Sequence, residues 1–175
     1  MATSNSNNQA GPSRRQAPNP QRNNTLLARI RYHVQALIGQ VEVPGKLTHP
    51  PTASEKASWN RQASPSGDSE DNYNVDSDVE DPCFPFPGGP GHLSTLTQTL
   101  LIMWRTMRKV GIKSFQLDWT KPFNKPKKKF LWDLAFSLFL KLVKAGEYSN
   151  TDLEMISEQK IYSALKNHVT NLVKK

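Results

Sequence analysis

Lysines form the densest group of basic side chains in this sequence: within five residues lie Lys125, Lys127, Lys128 and Lys129. Ammonium groups at this spacing can contact the phosphates of a polyanion, and short runs of this kind also act as nuclear-import signals. At the amino end of a helix they oppose the helix dipole, a repulsion that a bound anion relieves. The competing interpretation is a solubilising start to a hydrophobic helix. Two lysines at the end of the sequence, Lys174 and Lys175, complete the candidate polyanion-binding residues.

Histidine and cysteine, the usual carriers of metal and nucleophilic chemistry, form no constellation here. The sequence has one cysteine and four histidines without an i, i+4 pair: Cys83, His33, His49, His92 and His168. A single cysteine cannot form an internal disulfide or a multi-thiolate metal site. No glycine pattern follows a strand to make a phosphate-binding loop. We therefore predict that the protein is not an enzyme, with no catalytic, metal or cofactor-binding residues.

The net charge of +8 is divided into blocks of opposite sign. Residues 1–61 carry eight Lys or Arg and two Glu, and residues 93–175 carry fifteen basic and six acidic residues. Between them, residues 62–92 carry seven acidic residues and no Lys or Arg, and we call them the acidic segment. The acidic segment can neutralise the basic surface within the molecule, or that surface can attract a polyanion.

The amino-terminal half is predicted to be mostly disordered, with one or two isolated helices. Residues 1–23 form a basic tail rich in Asn, Gln, Ser and Pro that cannot bury enough apolar area to fold. Within residues 24–60, apolar spacing predicts a helix over 25–38 whose apolar stripe needs a partner. A Thr-Ala-Ser-Glu capping-box pattern predicts a second helix over 53–60. Residues 61–92, rich in Ser, Asp, Pro and Gly, are predicted to be an acidic linker.

Residues 93–175 are predicted to form a basic, all-α bundle of three to four helices. The first helix is expected from 93 or 94 to 110, on an apolar stripe that includes Leu96, and the second from 125 or 126 to 145. The second helix is apolar on most sides, so we place it at the centre of the bundle. A capping-box pattern at Thr151 and the spacing of later apolar residues predict one or two further helices. Alternating apolar residues over 115–119 predict an extended segment with one face on the core.

Four stretches occur along the chain in this order: Lys46–Trp59 with its Pro-Pro-Thr-Ala-Ser-Glu-Lys-Ala-Ser-Trp sequence, the acidic segment, Phe139–Tyr148 and Ala164–Val169. Together they resemble a group of uncharacterised proteins from mushroom-type (basidiomycete) fungi. The resemblance covers most of residues 25–175 and implies no activity, cofactor or binding residue. Proteins of that group often continue into a further charged stretch, so the resemblance also implies a shortened carboxyl-terminal ending.

Our leading hypothesis is a non-enzymatic, nucleic-acid-associated or nuclear adaptor that binds polyanions through its basic helical surface. One alternative is a protein–protein interaction module that uses amphipathic helices. A second alternative is a peripheral membrane binder, which requires the apolar helix at 125–145 to be exposed. No small-molecule ligand is implied.

The sequence also predicts where the protein resides. The longest apolar run spans Phe130–Val143, shorter than the roughly 20 residues that a bilayer-spanning helix needs. The first twenty residues lack the apolar stretch of a secretory signal peptide. We therefore predict a nuclear or cytoplasmic location.

Overall fold

The computed structural model describes residues 20–39, 49–62, 89–92, 94–122, 124–149, 151 and 156–173. Within these ranges the chain forms five α-helices and no strand, which confirms the predicted all-α fold with its helical carboxyl-terminal part. The helices are α1 (Pro20–Ile38), α2 (Ala53–Ala57), α3 (Thr97–Lys109), α4 (Pro126–Lys144) and α5 (Glu158–Val173).

Helix α4 is the centre of the bundle, because α1, α3 and α5 all pack against it. Its buried face is broad and includes Leu131, Leu134, Leu138, Phe139 and Leu142. The residues of the predicted polar stripe are half-buried or exposed: Asp133, Ser137, Lys141 and Lys144. Pro126 stands at the first helical position, where its fixed φ is favourable and its missing N–H costs nothing.

Helix α1 begins at Pro20, earlier than the predicted residue 25, and it is not isolated. It packs against α5 and α4, and its apolar stripe (Leu26, Ile30, Val34, Leu37) lies in the same core as the carboxyl-terminal helices. The stripe was visible in the sequence, but the surface that covers it was not. The last part of the predicted disordered tail, residues 20–23, therefore belongs to a helix.

His33 is completely buried and connects α1 to two other parts of the bundle. Its Nε2 lies 2.8 Å from the Ala135 carbonyl oxygen of α4, and its Nδ1 lies 2.7 Å from the Tyr148 hydroxyl. A carbonyl oxygen can only accept, so Nε2 carries the proton and Nδ1 accepts the hydrogen bond that Tyr148 donates. Burial holds the pKa of His33 well below its ordinary value, at about 4, so the ring is neutral.

Helix α2 is shorter than predicted, because it ends at Ala57 and not at residue 60. The predicted capping box is present: the Glu55 amide donates to the Thr52 hydroxyl, and the Thr52 amide donates to the Glu55 carboxylate. Trp59 lies beyond the helix end and its side chain is buried in the main core. Residues 52–62, which we call the Trp59 arm, are thus part of the folded unit.

Helix α3 starts at Thr97, three or four residues after the predicted start. Leu96, which was assigned to the apolar stripe, is 66% exposed because it lies outside the helix. The helix ends at Lys109, one residue before the predicted end, and Gly111 adopts the left-handed conformation with φ of 72° that was predicted to stop it. After it, Phe115 and Leu117 are buried on the core, as their alternation predicted.

Helix α5 closes the bundle through Ile161, Leu165 and Val169, the stripe that the sequence predicted. Several other predictions lie outside the described residues. These are the tail at 1–19, most of the acidic linker (63–88), the first turn after the capping-box pattern at Thr151, and the terminal lysines.

Candidate polyanion-binding surface

The lysine run occupies the amino end of α4, as predicted, and its first members face solvent. Lys125 is the residue that precedes the helix, Lys127 lies in the first turn, and both side chains are exposed. The Lys125 side chain forms no capping hydrogen bond. The amide dipoles of the first turn therefore add to the positive potential of the lysines.

Lys128 has a structural role, because its side chain is buried, unlike those of Lys125 and Lys127. Its side chain is only 5% exposed, and its Nζ donates a hydrogen bond of 2.5 Å to the Lys121 carbonyl oxygen. Burial lowers its pKa, and the nearby Asp118 carboxylate partly opposes that shift. This prediction is corrected: Lys128 ties the chain before α4 to the helix, so it is not available to an external anion in this conformation.

Lys129 is exposed but engaged within its own helix. Its Nζ lies 2.6 Å from the Asp133 carboxylate one turn later, and this hydrogen bond raises the pKa of Lys129. Exposed pairs of this kind contribute only about 0.2–1 kcal/mol, so a phosphate can compete for the lysine at little cost. Asp133 also accepts a hydrogen bond of 3.4 Å from the Tyr162 hydroxyl on α5.

The fold brings further basic residues to this end of the bundle from two other parts of the chain. The Trp59 arm packs beside the start of α4, where the Trp59 and Phe130 rings lie 6.0 Å apart. The chain between α3 and α4 reaches the same place through the bond from Lys128 to Lys121. We call this surface the basic end and define it by its exposed and half-buried bases: Lys56, Arg61, Lys113, Lys121, Lys125, Lys127 and Lys129.

Positive charge is concentrated in the stretches of chain that contain and flank the basic end. Ten of the eighteen Lys and Arg residues in the described part of the chain lie in stretches 53–62 and 108–133, which contain three acidic residues. Each acid is held by a local hydrogen bond: Glu55 by Thr52, Asp118 by Thr120 at 2.6 Å, and Asp133 by Lys129. Each of the three carboxylates is thus bonded to a residue of its own segment, and the surface as a whole keeps a net positive charge.

The arm and the α3–α4 connection are neighbours, since the Ser58 hydroxyl donates to the Gly111 carbonyl at 3.0 Å, and the pKa of Asp118 agrees with this placement. It lies below its ordinary value first because the Thr120 hydroxyl donates to the carboxylate, and then through smaller effects that include the charges of Lys121 and Lys56. Lys56 belongs to α2, more than sixty residues earlier in the chain. Sequence reasoning missed Lys56, Arg61, Lys113 and Lys121. The available signal was Trp59, a large apolar side chain after a well-capped helix that needed a place in the core.

The described residues were also compared with the requirements of a metal site and of a membrane span. No group of three or more His, Cys, Asp or Glu side chains there could hold a metal ion. Among the histidines, His33 is buried in the core, and the ring of His92 packs edge-on against Tyr32. No helix among the described residues is long and apolar enough to cross a membrane.

Comparisons with known proteins indicate neither a family nor a function. No family model, curated protein or solved structure matches this chain. The resemblance to basidiomycete proteins therefore stays a prediction, and a function has to be inferred from the geometry and charge of the basic end.

Proposed function

We propose that this protein is a non-enzymatic nucleic-acid-binding adaptor that holds the phosphate backbone of DNA or RNA against the basic end. The observation that carries the proposal is that the Trp59 arm, the α3–α4 connection and the start of α4 pack beside one another, and that each of them carries exposed or half-buried bases. Phosphates are regularly spaced, so several weak lysine contacts add up and release counterions together. The lysine run also has the density of a nuclear-import signal, so a nuclear location is part of the proposal.

Burial of the apolar helix faces favours this function over the two alternatives. A protein-interaction module would present the stripes of α1 and α5, but these lie in the common core. A peripheral membrane binder would present the apolar face of α4, whose large side chains are also buried. Among the described residues only two large hydrophobic side chains, Leu27 and Leu96, are exposed, so these helices offer no continuous apolar stripe to a partner.

The proposal is tested by binding of the full chain to fluorescently labelled 20-nucleotide single strands and 20-base-pair duplexes, followed by anisotropy at 20 to ~200 mM salt. Replacing Lys121, Lys125 and Lys127 with Gln removes three charges from the basic end. Each lysine that neutralises a phosphate contributes roughly 0.9 to the slope of log affinity against log salt for duplex DNA. We therefore expect the slope of the triple variant to be smaller by about 2 to 3.

A matched control removes three exposed lysines from elsewhere on the bundle: Lys144, Lys160 and Lys166, each replaced with Gln. It carries the same net charge as the test variant, so it measures the effect of charge without position. We expect its salt slope to stay close to that of the unmodified protein. Equal losses in both variants, or no binding at the lowest salt, would show that the basic end is not a nucleic-acid site.

A further inference from the structure

The basic end is formed by separate segments of the chain. One of them, the Trp59 arm, is held in place by contacts between uncharged groups. The Asn60 amide donates to the Val110 carbonyl at 2.9 Å, and the Ser58 hydroxyl donates to the Gly111 carbonyl at 3.0 Å. Both acceptors lie at the end of α3. The arm is therefore attached to the end of α3 on both sides of Trp59, by the Ser58 hydroxyl before it and by the Asn60 backbone amide after it.

Trp59 anchors the arm in the core. Its side chain is 9% exposed and packs near the ring of Phe130, the residue that directly follows the lysine run. An aromatic side chain of this size contributes a large part of the burial energy of a short segment. The indole thus lies beside the start of α4, next to the end of the lysine run.

Those two bases are Lys56 and Arg61, on either side of the anchor. The charge of Lys56 helps to lower the pKa of the Asp118 carboxylate. Arg61 is exposed, and it directly follows Asn60, whose backbone amide is bonded to the Val110 carbonyl. The only acid of the arm in the described residues, Glu55, accepts bonds from the Thr52 amide and hydroxyl at 2.7 and 2.8 Å. The arm thus presents its bases while its carboxylate is occupied by the helix cap.

We propose that Trp59 is a positioning residue for phosphate binding: by docking on α3 and α4 it holds Lys56 and Arg61 beside the lysine run, so that all three segments contact one nucleic-acid backbone. This inference rests on the proposed function and adds to it. It assigns two phosphate-contacting residues to the amino-terminal half of the chain. It also makes the extent of the binding surface depend on an uncharged contact.

The test compares salt slopes of the full chain bound to the same labelled 20-base-pair duplex. Replacing Lys56 and Arg61 together with Gln is expected to reduce the slope by about 1 to 2. Replacing Trp59 with Ala is expected to cause a similar reduction, although it removes no charge. Combining all three substitutions is expected to cause no greater loss than either variant alone, because the residues act as one unit. Trp59→Phe keeps an aromatic ring in the pocket and is expected to retain most of the slope.

Controls separate positioning from a general loss of structure. The double variant Lys144→Gln and Lys166→Gln removes the same number of charges outside the basic end and is expected to bind like the unmodified protein. Circular dichroism reports whether Trp59→Ala keeps the helices, and Lys56→Gln with Arg61→Gln tests the arm without touching its anchor.

Each outcome has a defined meaning. If substitutions in the arm leave the slope unchanged while those at Lys121, Lys125 and Lys127 reduce it, the arm is not part of the site, although the proposed function stands. If the losses from Trp59→Ala and from the two arm bases are additive, Trp59 does not act by positioning them. If the unmodified chain does not bind at low salt, the proposed function fails and this inference fails with it.

Discussion

Gly111 and Gly146 form a matched pair that tests how tightly the Trp59 arm is held on α3. Both end a helix in the left-handed conformation, with φ of 72° and 77°. A Cβ at Gly146 would meet nothing within 4 Å, whereas a Cβ at Gly111 would lie 2.0 Å from the Ser58 carbonyl oxygen. The two alanine variants therefore share the backbone strain and differ in the close approach of the arm.

The magnitudes follow from these contacts. An L-residue in the left-handed conformation costs about 1–2 kcal/mol, and we expect Gly146→Ala to lower the free energy of unfolding by that amount. In Gly111→Ala the arm backbone must also move by about 1 Å, since real contacts of this kind stay beyond 3.0 Å. That movement breaks the bonds from Asn60 and Ser58, each contributing about 0.5–1.5 kcal/mol, and loosens Trp59. We expect a total loss of about 3–5 kcal/mol for Gly111→Ala.

Urea denaturation followed by circular dichroism measures both variants on the full chain. The expected difference of about 2–3 kcal/mol corresponds to a clear shift of the midpoint at constant slope. If the two variants are equally destabilised, the Ser58 carbonyl yields without cost and the arm is not held as described. If Gly111→Ala lowers the denaturant slope as well, the arm has separated from a bundle that still unfolds on its own.

Four further predictions concern other contacts. His33 has a pKa of about 4 in the folded chain against 6.5 when unfolded, so the unfolded state takes up a proton first as the pH falls. The contribution of His33 to stability should therefore be constant above about pH 6.5 and fall by about 1 kcal/mol per pH unit towards pH 4. His33→Gln should remove this part of the slope in urea titrations, and an unchanged slope would contradict the assignment. Lys128→Met should lower the free energy of unfolding by about 1–3 kcal/mol and leave the salt slope of DNA binding unchanged; a reduced slope would return Lys128 to the binding surface. Thr52→Ala should cost about 0.5–2 kcal/mol of stability in thermal melts through loss of the capping box, whereas Ser54→Ala, in the same helix, should be nearly neutral. Replacing the seven acids of the acidic segment with their amides should tighten DNA binding in anisotropy titrations if that segment competes for the basic end; weaker binding would contradict competition.

The sequence predicted the features that depend on local periodicity and on helix ends. The length and centrality of α4 followed from its nearly continuous apolar surface, and the stripe of α5 followed from the spacing of Ile161, Leu165 and Val169. Helix stops at Gly111 and Gly146 were predicted because glycine alone tolerates the left-handed position without strain. The Thr52 cap could also be predicted from the sequence, because its hydrogen bonds join residues that are only three positions apart.

Features that depend on contacts between distant segments could not be predicted in the same way. The lysine run was visible, but the burial of Lys128 depends on a carbonyl seven residues earlier that only the folded connection places within reach. The stripe of α1 showed that the helix needed a partner without identifying α4 and α5. Lys56 carried no signal of its own, because its place at the basic end depends on where Trp59 docks.

His33 also determines how α1 can be seated on the bundle. A slide of α1 by one helical turn would bring Arg29 or Leu37 to the position of the imidazole. Leucine has no acceptor for the Tyr148 hydroxyl, and arginine would bury a charge that also cannot accept that hydrogen bond. The apolar stripe alone would tolerate such a shift, since its residues are similar in size and repeat at the helical spacing. The single buried imidazole of His33 therefore fixes the position of α1 along the bundle, because the alignments shifted by one helical turn lose its hydrogen bonds.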